Sequence, residues 1–172
     1  TTYLDYADGD GYQAVRLPYK GEAADMLVIL PHKGRFGPVE EHLSAGFLDQ
    51  VENSLDMEYV RLTMPRFDFE TDLDLKKMLE RMGMTAPFDS GMADFSGITG
   101  GKDLYISEAL HRANITVDEK GTEAAAATVL AMAESSTPQM TEMTIDRPFI
   151  FAIVERDKGT ILFLGRVTNP QQ

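Results

Sequence analysis

Short apolar stretches, some alternating with polar residues and some unbroken, recur between turn-forming residues and predict a strand-rich fold with a few helices. Residues 2–7 predict a short strand, the cluster Asp8, Gly9, Asp10 and Gly11 a tight turn, and residues 12–19 the strand running back. Residues 26–30 (MLVIL) are a continuous apolar run between Asp25 and Pro31, which predicts a strand buried on both faces in a sheet centre. From residue 38 to 55, Val39, Leu43, Phe47, Leu48, Val51 and Leu55 recur at spacings near three and four, the pattern of one or two amphipathic helices. Residues 59–64 alternate and stop at Pro65; residues 66–70 alternate again, giving two consecutive strands around a proline corner.

Thr71 or Asp72 can cap a helix carrying Leu75, Met78, Leu79 and Met82, with Gly83 where a left-handed residue closes such a helix. A loop is expected over 84–103. Residues 104–118 predict one long strand, with Ala109, His111, Ala113, Ile115 and Val117 on one face and Arg112, Asn114, Thr116 and Asp118 on the other. Residues 150–154 and 160–167 predict a buried hairpin turning across Arg156, Asp157, Lys158 and Gly159. No repeat or linker interrupts this order, and residues 1–172 read as a single α+β unit.

The stretch from Glu119 to Ser136, EKGTEAAAATVLAMAESS, is chemically unusual. Its alanines favour a surface helix by intrinsic propensity. It also carries two faces at period two: Thr122, Ala124, Ala126, Thr128, Leu130 and Met132 on one, and Glu123, Ala125, Ala127, Val129, Ala131 and Ala133 on the other. Both states are open to it. Small side chains without proline would let such a segment enter between two strands, because little volume must be accommodated and every N–H can join a ladder.

Composition narrows the function classes. Sixteen basic against 28 acidic residues give a formal net charge of -12, which opposes phosphate backbones and anionic lipid surfaces, so nucleic acid and membrane are not expected partners. The chain has no cysteine, hence no disulfide, thiol nucleophile or thiolate metal site. No apolar run reaches the ~20 residues of a membrane helix. The DGDG cluster fails as a calcium loop, since Tyr6 and Leu17 would fall at its first and last ligand positions. GITGGKD, residues 97–103, fails as a phosphate loop because Ser96 and Asp103 occupy required positions. His32 and His42 read as solvated; His111, mid-strand on an apolar face, reads as a hydrogen-bonded structural histidine. Neither a catalytic constellation nor a metal or cofactor motif is found.

EKGTEAAAA, the run MTIDRPFIFAIV and the ending LFLGRVTNP resemble the hinge, signature and C-terminus of serpins. YADGDGYQAVRLPYKG, ADMLVILP, VRLTMPRFDFETDLDLKKMLERMGM, ADFSGI and LYISEALHRANITVDEKGTEAAAA look like successive serpin segments in the family's order. The resemblance covers the whole chain and is to the C-terminal part of a prokaryotic-type inhibitory member. It implies mixed β-sheets with a few helices and a reactive-centre loop at about residues 119–142. Within that loop, Gly121, Thr122, Glu123, Ala124, Ala125, Ala126 and Ala127 would be the hinge. The scissile bond would join Ser135 and Ser136, with Glu134 and Thr137 as neighbouring candidates. Glu119 and Arg66 would pair at the top of the main sheet, and His111 would sit in its shutter.

The function implied is inhibition of serine-type endopeptidases, not catalysis. A protease would acylate at the cut, the strained loop would insert as a β-strand, and the acyl-enzyme would be trapped. About a dozen new ladder hydrogen bonds at roughly 0.5 to 1.5 kcal/mol net each give on the order of 10 kcal/mol for that step. Small residues near the cut suggest elastase-like or subtilisin-like targets. The chain is expected to be a fragment that needs an N-terminal part of the same protein, since the flanking strand and the partner of His111 lie elsewhere. A non-inhibitory binding or chaperone module, or an inactive fragment, is the alternative. The resemblance also implies an extracellular or cell-envelope location and no cofactor.

Overall fold

Strand neighbours follow the apolar runs, with the most apolar strand taking an interior place. The computed structural model describes residues 1–117 and 139–170. In it, β1 (Thr2–Gly9), β2 (Tyr12–Pro18) and β3 (Ala24–Pro31) form an antiparallel meander. The first turn uses Gly11 at a φ of 88°, a left-handed backbone that glycine adopts without strain. β3, the predicted central strand, is buried from Asp25 to Pro31 and lies between β2 and β8 (Phe149–Glu155). Beyond β8 comes β9 (Ile161–Val167), antiparallel, at the sheet edge.

On the other side β1 pairs antiparallel with β4 (Asp56–Thr63), and β4 pairs in parallel with β7 (Met140–Thr144). The sheet thus has seven strands in the order β7-β4-β1-β2-β3-β8-β9. The predicted helical region is two helices, α1 (Phe36–Glu41) and α2 (Ala45–Asn53), divided where the Ser44 hydroxyl caps α2 by accepting from the Phe47 N–H at 3.2 Å. Val39, Leu48 and Val51 bury the helices against Tyr12, Ala14, Leu27, Ile29, Ile150 and Ala152. Phe67, also buried, stacks obliquely with Phe149 and Phe151 at centroid distances of 5.7 and 6.0 Å. Each fully buried side chain of this size contributes about 1.5–3 kcal/mol.

The final hairpin differs from its prediction. β8 is buried, but Ile161, Leu162, Phe163 and Leu164 of β9 are 41–53% exposed. Among the described residues nothing covers this edge strand, so it keeps this surface however apolar its sequence. Gly165 in β9 sits opposite Phe151, and a Cβ added there would lie 2.5 Å from the ring. Phe151 is itself buried, so the ring would have to shift against the side chains packed around it. Gly165→Ala is therefore expected to lose about 1–3 kcal/mol, measurable by urea denaturation.

This sheet with α1 and α2 is one compact unit, and Asp68–Thr116 is a second. The second is built on β5 (Phe67–Asp74) and β6 (Leu110–Val117), a two-stranded sheet. Three expectations are corrected here. The strand predicted over 104–118 begins only at Leu110. β5 runs on to Asp74 because β6 extends its ladder, so α3 (Leu75–Arg81) is capped by Asp74 rather than Thr71 or Asp72, the carboxylate accepting from the Lys77 N–H at 3.4 Å. The expected loop holds a 3-10 turn at Ala86–Phe88 and the short helix α4 (Ser96–Thr99). The end of α3 is as expected: Gly83, at a φ of 96°, donates to the Glu80 carbonyl, and Met84 to that of Leu79.

Near α4, Asp94 meets the Lys102 ammonium at 2.7 Å and accepts from the Ser96 N–H at 3.2 Å. These bonds, Lys102 foremost, hold its carboxyl below the usual carboxylate range. A lowered folded-state pKa adds stability that is complete above the ordinary value of about 4 and disappears as pH falls through the folded value. Asp94→Asn should flatten that acid limb in hydrogen-exchange measurements of the α4 turn.

Candidate functional site

The alanine-rich stretch connects two strands whose anchoring can be read residue by residue. β6 leads into it. Its face alternates as predicted from Ala113 onward, with Ala113, Ile115 and Val117 half-buried and Asn114 and Thr116 exposed. The exposed face is tied to β5 by side chains. Arg112 Nε donates to Asp72 Oδ1 at 2.7 Å and lies 2.8 Å from Glu70 Oε1, and the Thr116 hydroxyl donates to Asp68 Oδ1 at 3.0 Å. Asp68, Glu70 and Asp72 sit at every second residue of β5, so they fall on one face and form an acidic row opposite Arg112 and Thr116. That alternation was a sequence signal for the pairing. Among the described residues, β5 is the one strand neighbouring β6.

β7 leads out of the stretch. Met140 pairs with Tyr59 and Thr144 with Thr63 in the parallel ladder. The Thr141 hydroxyl donates to Glu58 Oε2 at 2.7 Å, Arg61 Nη1 contacts Glu142 Oε1 at 2.9 Å, and Met143 is fully buried. The chain then continues through the Ile145 N–H to the Thr63 carbonyl, and through Arg147 Nε to the Pro31 carbonyl at 2.8 Å. Residues 140–142, the end of the expected loop, therefore belong to a strand held on its partner by backbone and side-chain bonds.

The remaining sequence-predicted residues divide plainly. Glu119, Gly121 to Ala127, and Glu134, Ser135, Ser136 and Thr137 lie outside the described residues. Arg66 is exposed in the corner after Pro65. His111 is the second residue of β6 and is exposed there, because covering of that face begins only at Ala113. His32, half-buried, lies 3.3 Å from Asp8 Oδ1.

A cleft of about 360 Å³ opens in the seven-stranded unit, lined by Asp5, Arg16, Asp25, Glu52, Glu155 and Arg156. Its cations are already matched. Arg156 forks onto the buried Asp25 at 2.5 and 2.9 Å, and Arg16 meets Asp5 at 3.3 Å and Glu52 at 4.0 Å. The Asp25 hydrogen bond raises the Arg156 pKa above its ordinary value. Such a cleft ties strand ends together and presents no unmatched base or nucleophile. Among the described residues, no group of three or more His, Asp or Glu could hold a metal ion.

Comparison with known proteins gives a consistent result. The family model for Serpin (serine protease inhibitor) matches residues 1–170. The chain is 43% identical over 174 residues to an uncharacterized serpin-like protein of Thermococcus kodakarensis, covering 99% of this chain and 40% of that protein. It is 34% identical over 172 residues to plasminogen activator inhibitor 1 of Bos taurus, covering 98% of this chain and 42% of that one. Among solved structures, thyroxine-binding globulin in complex with thyroxine superposes with a TM-score of 0.82 at 33% identity, over 99% of this chain and 44% of the other. The chain thus spans about two fifths of the length of the curated relatives it matches.

Proposed function

This chain belongs to the serpin family, and from that premise we propose that it is the C-terminal part of an inhibitor that traps serine-type endopeptidases. The observation that carries the proposal is the placement of the small-residue run. The chain leaves β6 at Val117 and enters β7 at Met140, and the residues between hold the period-two pattern with no proline before Pro138. In this reading Gly121 to Ala127 form the hinge, and Glu119 pairs with Arg66 at the top of the sheet that receives the loop. His111 serves the opening of that sheet. The target cuts between Ser135 and Ser136, with Glu134 and Thr137 marking the limits of the bond's position.

Cleavage frees the hinge from its tether to β7. Thr122, Ala124, Ala126, Thr128, Leu130 and Met132 then face inward as a new strand, and Glu123 stays on the outward face. The acylated protease is carried along before water can release it. Small residues at the cut suit the shallow primary pockets of elastase-like or subtilisin-like enzymes. An extracellular or cell-envelope location would bring the inhibitor to such enzymes.

The test is incubation of the full-length protein with subtilisin and with elastase. A covalent complex that survives SDS, with a released peptide beginning at Ser136 or a neighbouring residue, is expected. Loop cleavage without any such complex would remove inhibition in favour of a binding role.

A further inference from the structure

We draw no further inference here: the strongest candidate, the cleft of about 360 Å³ lined by Asp5, Arg16, Asp25, Glu52, Glu155 and Arg156 in the seven-stranded unit, carries nothing because its two arginines are already matched by Asp5, Asp25 and Glu52 and, among the described residues, no buried side-chain polar atom is left without a partner to point to a ligand.

Discussion

Full-length protein carrying Ala124→Pro is expected to be cleaved by subtilisin and released, where the unaltered protein is trapped with its protease. In the proposed mechanism Ala124 would take the inward face of the hinge, among the first residues to enter the sheet. Proline there has no N–H to give the ladder, and it leaves a neighbouring carbonyl without its partner as the strand goes in. An unmet buried backbone group costs about 1–3 kcal/mol, which slows insertion about 5- to 150-fold if it is felt in full at that step. Insertion competes with deacylation, so the split between trapped and released protease should move toward release by one to two orders of magnitude. Thr122→Arg should act the same way for a different reason, since a charge would have to leave water on the inward face. Alanine in place of Thr122 is the control and should inhibit normally. Unchanged yields of the SDS-stable complex in both Ala124→Pro and Thr122→Arg would sink the insertion mechanism.

Phe149→Ala is expected to have the largest effect on stability. Phe149 is fully buried in β8, paired with Val167 in β9, and its ring meets Phe67 at a centroid distance of 5.7 Å and an interplanar angle of 56°. Truncation removes the transfer free energy of the ring and leaves a cavity in a sheet held on both sides, at a cost of about 3–5 kcal/mol. Loss of the oblique ring pair adds to this, by about 0.5–1.5 kcal/mol. Against a typical total stability of about 5–15 kcal/mol, a large share of the fold's margin disappears. Equilibrium urea unfolding of the full-length protein should show the lowered midpoint; a change under about 1 kcal/mol would mean that the Phe149 site collapses or is not in the core.

What could be read from the residues, and what could not, divides by range along the chain. The apolar run of β3 announced a central strand because it lacks a polar face, and Asp10 with Gly11 announced the first turn because the backbone there needs positive φ. The proline corner at Pro65 was equally legible. Its consequence was not: β4 joins β7 and β1 while β5 joins β6, and that choice depends on partners more than thirty residues away. The same long-range pairing carries β5 to Asp74 and so moves the helix cap past Thr71 and Asp72. β9 misled for another reason, since hydrophobicity gives the tendency to be buried but does not provide the cover.

The candidate site follows the same division. The small-residue run and its resemblance were visible in EKGTEAAAA, and β6 ends near its expected place, whereas β7 takes up the end of the expected loop and was not foreseen. Beyond the alternation of Asp68, Glu70 and Asp72, the particular bonds that fix those strands were not legible: Arg112 to Asp72 and Glu70, Thr141 to Glu58, and Arg61 to Glu142. Each joins residues at least forty positions apart, or depends on ladder register. For His111, alternation alone suggested a covered ring, whereas covering starts two residues later.

The central claim is that the stretch after β6 becomes a strand once it is cut. Hydrogen exchange on the full-length protein, before and after cleavage by the target protease, measures this directly. Amides from Thr122 to Met132 are predicted to pass from fast exchange to protection as strong as that of the β3 core. Fast exchange of those amides after cleavage would contradict the account.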